Sequence, residues 1–299
     1  MLFQSGDVTL NICPVDEAEY KSSAVGLAFI DFVSFFERTT EFYDVGKRGL
    51  RLVERFAPLL ASPIVAKLLG EERAARASKT HRMSEREVED EFEFFAAVML
   101  IAGWAAFEAY IDDVCRGELL ADPSLTQVGP LSSVRLRTAE ATLDYPSQVS
   151  HWLRRGIDKQ KQLRQPISFT DKIDSQLELV GLHGAVLQDL ADNVNTSKLI
   201  RNVWAHKAGV ADQYFIDNAV GTNYSVGDTV SVRKESLYDY RAGLMSYAVI
   251  VVNRFRQRNG MRVGLTYSGT EIAANPFKAA LEANLLDPVP FDVLAGKAV

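Results

Sequence analysis

One apolar run in the middle of the chain limits the folds it can adopt more than any other feature. The run extends from residue 94 to residue 107, and it is bounded by Glu93 and Glu108. Its length of about fourteen residues is short of the roughly twenty that a helix needs to cross a bilayer. A helix that is apolar on every side must then be buried inside the protein. The run therefore predicts a core helix.

Helical spacing also marks the N-terminal part of the chain. Apolar residues recur at helical intervals from about residue 23, and a second helix is expected from about residue 45 to 60. A polar connector follows at about 70–84. Ser84 and Glu87 then have the spacing of a capping box, in which each side chain bonds the backbone amide of the other residue. We expect this box to open the long helix that contains the apolar run.

Most of the remaining sequence has helical spacing as well. Further helices are predicted at about 132–142, 147–163, 170–192, from 196 onward, and 236–256. Thr229–Val232 is β-capable and follows glycine turn signals, and the alternation in Val8–Ile12 is consistent with an extended arm or an edge strand. The sequence therefore predicts a mainly α-helical bundle with one short β hairpin or strand pair.

The segment from Arg201 to His206 groups side chains whose chemistry suits phosphate handling. Each residue of a helix turns the chain by about 100°, so Asn202 and His206 at i and i+4 share a face, while Arg201 points well round the helix. Arginine grips phosphate oxygens with two parallel N–H groups, and imidazole exchanges protons near neutral pH. Because Arg201 must reach round the helix or be matched by a second subunit, this geometry suits a site built across a dimer.

The residues from Ile200 to Asp212 resemble the Arg-x(4–6)-His signature of HEPN domains, a helical superfamily in which a polar residue, here Asn202, usually follows the arginine. Two flanking segments extend the likeness. Trp104–Ile111 is similar to the aromatic-Glu-aromatic helix that opens many such domains, and Tyr224–Val232 with the apolar helix after it resembles the turn and the last helix. The resemblance implies a HEPN-like helical domain at 84–260, an N-terminal helical subregion at 1–83 and a C-terminal tail with a short helix at 261–299.

The family resemblance also implies an activity. Many HEPN domains are metal-independent endoribonucleases of toxin and antiphage defence systems, which predicts an RNA substrate, a homodimer, a possible regulatory or antitoxin partner, and no cofactor or metal. In this chain Arg201 would stabilise transition-state charge, Asn202 would orient the phosphate or the imidazole, and His206 would act as general acid or base. Glu108 would support the site by holding the Arg201 guanidinium or acting on the imidazole. Ala208 departs from the branch of the family that has tyrosine at this position, so control by modification of that tyrosine is not implied.

Alternative interpretations stay open. A bare Arg-x4-His pattern has low specificity, because Arg76 and His81 repeat it in a polar stretch that is typical of a solvated surface. In a purely structural interpretation, His206 lies near a helix C-terminus and Gly209 ends the helix. Two functional alternatives share the fold: a non-catalytic HEPN-like helical adaptor, and a nucleotide-sensing module that binds a small phosphate ligand.

The overall charge restricts any contact with RNA to local patches. The chain has 33 Lys and Arg against 39 Asp and Glu, a net charge of −6, whereas nucleic-acid binding depends on clustered cations. Two basic stretches, His151–Arg164 and Asn253–Arg262, are candidate RNA tracks, or else solvated helix faces. The residues selected from them as RNA-binding are Arg154, Arg155, Lys159, Lys161, Arg254 and Arg258.

The cysteines and histidines predict neither a disulfide framework nor a metal site. Cys13 and Cys115 are the only cysteines, and the four histidines lack the spacing of metal ligands. The first residues have no basic segment followed by a long apolar run, as a signal peptide would. We therefore expect a cytoplasmic protein that does not associate with a membrane.

Overall fold

The computed structural model describes residues 14–60, 62–163, 168–219 and 221–264. The expected strand at Val8–Ile12, Cys13, and the short helix expected in the C-terminal tail lie outside the described residues. Within them the chain is mainly α-helical, as predicted. The helices are α1 (Pro14–Ser22), α2 (Ala24–Leu60), α3 (Pro63–Leu69), α4 (Glu71–Glu89), α5 (Glu93–Ala121), α6 (Thr138–Ala141), α7 (Tyr145–Leu163), α8 (Phe169–Glu178), α9 (Gln188–Lys207), α10 (Gln213–Asn218) and α11 (Lys234–Arg258), with short 3-10 helices at Pro123–Gln127 and Gly129–Ser133.

The chain divides into two compact units, each made of segments that are far apart in sequence. Of the described residues, unit 1 contains those within 14–33, 106–195 and 242–264, and unit 2 contains those within 34–105 and 196–241. These units do not coincide with the boundaries predicted at 83/84 and 260/261. The division falls inside α2, α5, α9 and α11, so a division by continuous segments could not reproduce it.

Unit 1 is built around an aromatic core. Phe32 stacks on Tyr110 with ring centroids 5.2 Å apart, and Phe107 meets Tyr247 edge to face at 5.8 Å. These side chains are almost completely buried, as is every residue from Leu244 to Val252 on α11. Burial of each large apolar side chain stabilises the fold by about 1.5–3 kcal/mol, so this cluster is a major source of the stability of unit 1.

Unit 2 contains most of the apolar run that the sequence placed in the core. Trp104 of α5 is completely buried, and its indole N–H donates to Ser197 Oγ of α9 at 3.2 Å. In the same unit, the Arg241 guanidinium of α11 donates to the Phe36 carbonyl of α2 at 2.5 Å. Helix α5 has the length and hydropathy of a membrane span, but half of its most apolar window is buried, as in a core helix.

The predicted polar connector and capping box are wrong. Residues 71–89 form helix α4, and Ser84 lies inside it, buried, with its hydroxyl donating to the Thr80 carbonyl at 3.0 Å. The break before α5 comes instead at Glu91 and Phe92, whose φ angles are +52° and +66°. A left-handed conformation is uncommon in residues other than glycine, so the sequence gives no signal for the break.

Four further predictions differ from the structure. The two helices expected from about residue 23 and at 45–60 form the single helix α2, and the helix expected at 132–142 is reduced to the four-residue α6. The helix expected at 170–192 ends at Glu178, and Gly181, with a φ of +71°, turns the chain before α9 begins at Gln188. The expected strand pair is reduced to one isolated antiparallel bridge between Val210 and Thr229. Helix α11, expected at about 236–256, agrees with the prediction to within two residues at each end.

Candidate functional site

The last two turns of α9 carry the Arg-Asn-His motif. Ile200 and Val203 are buried and fix the helix in unit 2, while His206 is exposed and Arg201 and Asn202 are partly exposed. The three polar side chains are therefore on the accessible side of an anchored helix. The structural condition for a ligand site, that none of them is enclosed in the hydrophobic interior, is met.

Arg201 and Asn202 contact each other directly. The Arg201 Nη1 donates to Asn202 Oδ1 at 3.1 Å. In a helix the Cα of Arg201 lies about 140° round the axis from His206, and that of Asn202 about 40° from it. The hydrogen bond thus directs the guanidinium towards the face that Asn202 and His206 share. Asn202 is therefore one of the contacts that orient the arginine.

The chain reverses immediately after the motif. Ala208 and Gly209 both have left-handed backbone angles, with φ of +52° and +85°, and the Gly209 N–H donates to the Val203 carbonyl at 3.2 Å. A Cβ on Gly209 would lie 3.1 Å from the ring of Trp204, so both the backbone and the packing favour glycine there. The helix ends at Lys207, Ala208 begins the reversal, and Gly209, the residue expected to end the helix, completes it.

Trp204 links the motif helix to a distant loop. Its indole N–H donates to the Val230 carbonyl at 2.9 Å, and its ring meets Phe94 of α5 edge to face at 6.2 Å. Backbone bonds between residues 209–211 and 227–230 add to this link. The sequence analysis did not assign this role to Trp204, because a tryptophan between two polar motif residues does not reveal its partner.

Lys207 and Asp212 form a second feature that the sequence did not assign. Lys207 Nζ lies 3.8 Å from Asp212 Oδ2, and both side chains are exposed. Asp212 also accepts a hydrogen bond from the Phe215 N–H at 2.9 Å, so it caps α10. The cap signal could have been found in the sequence, because aspartate is preferred at helix N-termini.

Glu108 was expected to support Arg201 or His206. It belongs to unit 1, whereas Arg201, Asn202 and His206 belong to unit 2. Glu108 and Asp112 lie one turn apart on α5 and line a cavity of about 330 Å³ in unit 1, together with Phe107, Ile111, Phe169, Ile173 and Gln176. Gln176 donates to Asp112 Oδ1 at 2.5 Å. The supporting role of Glu108 stays a prediction.

The basic stretch on α7 is partly occupied by structural contacts. Arg155 pairs with Glu140 at 2.8 Å, and the hydrogen bond from this guanidinium is the largest cause that lowers the pKa of Glu140 to about 2. Lys159 Nζ bonds Ser133 Oγ at 2.6 Å. Arg154 and Lys161 are exposed, with Lys161 3.8 Å from Asp158. These two are the members of the stretch that solvent reaches most fully.

The basic stretch on α11 requires a correction. Arg254 is buried, and its guanidinium donates to the carbonyls of Leu182, Gly184 and Ala185 at 3.0, 2.6 and 3.2 Å. Arg258 donates to the Val180 carbonyl at 2.8 Å and pairs with Glu118. Both arginines hold the 178–187 segment in place, because their guanidinium groups donate to backbone carbonyls that have no partner within a helix. Arg254 is therefore not an accessible RNA contact, and Arg258 is at best a partial one.

The described residues contain no cluster of three or more His, Cys, Asp or Glu side chains that could hold a metal ion. Cys115 is a buried free thiol, and burial raises its pKa far above the ordinary range. The second Arg-x4-His copy is on α4, where Arg76 is exposed and pairs with Glu72 at 2.6 Å. It provides a pattern-matched comparison for the motif on α9.

Comparison of the chain with protein-family models, curated proteins and solved structures found no match. Any function must therefore be argued from the residues of this chain.

Proposed function

We propose that the chain is a metal-independent endoribonuclease of a toxin or antiphage defence system, active as a homodimer in the cytoplasm. The observation that carries the proposal is the arrangement at the end of α9: an exposed imidazole on the same helix face as an asparagine that orients a guanidinium. These are the groups that RNA transesterification requires, a proton carrier and a bidentate phosphate ligand.

The reaction follows from the chemistry of these groups. His206 accepts the proton of the 2′-hydroxyl as its oxygen attacks the adjacent phosphorus, and the bond from phosphorus to the 5′-oxygen breaks. A second imidazole, His206 of the other copy, donates a proton to that leaving oxygen. Arg201 neutralises the charge that accumulates on the phosphorane oxygens, and Asn202 holds Arg201 in position. The products are a 2′,3′-cyclic phosphate and a 5′-hydroxyl.

A dimer supports this chemistry better than a monomer. One copy offers one imidazole, and Arg201 and His206 diverge by about 140° on their helix. A twofold axis beside α9 would bring two copies of each group into one cleft, so that acid and base come from different subunits. Cleavage would then depend on protein concentration, with the rate per subunit falling on dilution below the dissociation constant of the dimer.

The decisive experiment incubates the purified chain with mixed RNA in EDTA. Wild-type protein should produce fragments with 5′-hydroxyl and cyclic phosphate ends. Arg201→Ala and His206→Ala should each lower the rate by at least about a hundredfold, the usual effect of losing general acid–base catalysis or charge stabilisation. His81→Ala, in the second copy of the pattern, is the matched control and should cleave at the wild-type rate.

The other outcomes identify other functions. Intact RNA with a dimeric, folded protein favours a non-catalytic helical adaptor. Tight binding of a nucleotide without turnover, lost in Arg201→Ala, favours a nucleotide-sensing module. Equal cleavage by wild-type protein and by the Arg201 and His206 variants would reveal a contaminating nuclease and contradict the proposal. A regulatory or antitoxin partner would be detected as a protein that blocks cleavage when it is added.

A further inference from the structure

Helix α2 has a second apolar face, on the side away from the core of unit 2. Six residues of this face follow the a and d positions of a heptad repeat, and we name them the α2 seam: Phe42, Val45, Gly49, Leu52, Phe56 and Leu59. Their spacing alternates strictly between three and four residues. Such a 3.5-residue repeat keeps one stripe of a helix facing a partner helix, which is the pattern of a coiled coil.

The seam is open to solvent. Its five apolar side chains are 54–63% exposed, and among the described residues nothing lies within 4 Å of a Cβ placed on Gly49. The core face of the same helix is different, because Tyr43 is buried and Gly46 lies against the Phe95 ring. Phe42, at one end of the seam, also meets this ring edge to face at 5.9 Å. The rest of the seam, from Val45 to Leu59, is therefore an apolar surface additional to the core.

We propose that the α2 seam binds the α2 seam of a second copy of this chain, with the two helices antiparallel. In an antiparallel pair each a position faces a d position of the other helix. The layers are then Phe42 against Leu59, Val45 against Phe56, and Gly49 against Leu52, each formed twice about the twofold axis. The two central layers are the two copies of the Gly49–Leu52 pair, in which a large residue faces a small one. A parallel pair would instead place Gly49 opposite Gly49 and leave a void.

The area of the seam is sufficient for a specific dimer. Side chains of this size expose on the order of 200 Å² when fully open, so five that are about three-fifths exposed present roughly 500–600 Å². Two copies would bury about 1,000–1,200 Å², at or above the size expected of a biological interface. Arg48 and Arg55 flank the stripe, a pattern that anionic lipid also attracts. The strict heptad and the central glycine favour a helix partner, because lipid requires neither.

The first test measures the oligomeric state of the full chain by sedimentation equilibrium. Wild-type protein should associate through the seam, as a dimer or, where the contact proposed beside α9 also forms, as a tetramer. Leu52→Glu should raise the dissociation constant of the seam contact at least about a hundredfold, because two carboxylates would be buried at the centre of the interface. Leu163→Glu places the same charge at an exposed leucine outside the seam and should leave the dimer intact. Thermal melts of both variants check that they are folded. A monomeric wild type, or equal effects of both substitutions, would overturn the proposal.

The second test establishes the direction of the helices by oxidative cross-linking in a Cys13→Ser background; the other cysteine, Cys115, is buried. A mixture of Phe42→Cys and Leu59→Cys proteins should form a covalent dimer, and neither protein alone should do so. Cross-linking of Phe42→Cys with itself would show a parallel pair and reject the antiparallel arrangement.

A vesicle-binding assay tests the alternative that the seam binds a membrane. We expect no binding of wild-type protein to vesicles of phosphatidylcholine and phosphatidylserine that is lost in Leu52→Glu. If such binding occurs while the protein is monomeric, the seam is a membrane surface and the proposal fails. None of these tests depends on ribonuclease activity, so a seam dimer without RNA cleavage would contradict the proposed function alone.

Discussion

Ala208 sets the direction in which the chain leaves the motif helix. Its φ of +52° is in the left-handed region, where a side chain with a Cβ costs about 1–2 kcal/mol. Gly209, with a φ of +85°, tolerates the same region without that cost. The two residues together turn the chain towards the segment that pairs with residues 227–230.

Replacing Ala208 by glycine should therefore stabilise the protein. The relief of left-handed strain exceeds the extra backbone entropy of glycine, for a net gain of about 1 kcal/mol in the free energy of unfolding. The measurement is denaturant unfolding. Ala205→Gly, at an exposed helical position three residues earlier, is the control and should lower stability by about 0.5–1 kcal/mol. A loss at both positions would contradict the left-handed assignment.

Tyr43 has a buried hydroxyl with no hydrogen-bond partner in the part of the chain that the structure describes. Tyr43→Phe removes this unsatisfied group and should be neutral or stabilising at neutral pH, by up to about 1 kcal/mol. Tyr145→Phe is the matched comparison, because the Tyr145 hydroxyl donates to the Leu119 carbonyl at 2.6 Å. That substitution should cost about 1 kcal/mol. A larger loss at Tyr43 than at Tyr145 would show that its hydroxyl has a partner.

The same tyrosine predicts a pH dependence. Burial, with the nearby Tyr238 and carboxylates, raises the pKa of Tyr43 from its ordinary value of 10.0 to about 12. The folded state thus favours the neutral form, and the stabilisation is complete below pH 10 and is lost as pH rises through 12. Unfolding measured across this interval should show a shallower decline for Tyr43→Phe than for wild type. Identical slopes would indicate that Tyr43 titrates normally.

At the scale of the helices, two glycines of α2 should respond in opposite ways to the same substitution. Gly49→Ala adds a Cβ that meets no atom of the described residues of its own chain, so in the Leu52→Glu background, which lacks the seam contact, it should stabilise the chain by about 1 kcal/mol, the helix propensity of alanine over glycine. Gly46→Ala would place its Cβ 2.5 Å from Phe95 Cε1, and the displaced ring should make the change destabilising. Thermal and denaturant unfolding measure the change in stability of each variant relative to its parent protein. Equal effects would show that Phe95 does not pack on Gly46.

A helix could be predicted from the sequence where its apolar pattern and its end signals are both visible there. Helix α11 contains a long apolar run, Tyr247–Val252, and was predicted closely. Helix α4 was missed because its residues are polar, although arginine, alanine and glutamate are all strong helix formers. The α4–α5 break was missed because Glu91 and Phe92 adopt left-handed angles that only tertiary packing can stabilise: Phe92 is buried, with Lys47 and Arg51 over its ring.

The candidate site was predictable in its composition but not in its surroundings. The motif named Arg201, Asn202 and His206, and the structure places all three at an accessible helix end. The partners of Arg254 and Arg258 could not be read from the sequence, because a row of arginines on a helix looks the same whether it faces solvent or the carbonyls of a neighbouring loop. Contacts between residues about seventy to eighty positions apart decided the outcome.

For the whole molecule, the net charge of −6 and the internal use of arginines limit how the proposed RNA substrate could be held. Arg155, Lys159 and Arg258 are engaged by groups of the chain itself, so Arg154, Lys161 and Arg201 are the predicted cations from which we expect phosphate contacts. Each phosphate contact with a single strand contributes about −0.7 to the slope of log affinity against log salt, so the slope for the His206→Ala protein should be no steeper than about −2. Fluorescence titration with a labelled RNA at several salt concentrations measures it. A slope near −6 would mean a longer cationic track than the structure offers.

The indole that joins the motif helix to the Val230 carbonyl also gives the protein an internal optical probe. Trp204 is one of three tryptophans, and it occupies the turn between Asn202 and His206, whereas Trp104 is sealed in the core of unit 2. Its emission wavelength reports the polarity and hydrogen bonding of that turn. Occupancy of the site by any ligand can thus be followed without a label, and in a catalytically inactive variant as readily as in the wild type.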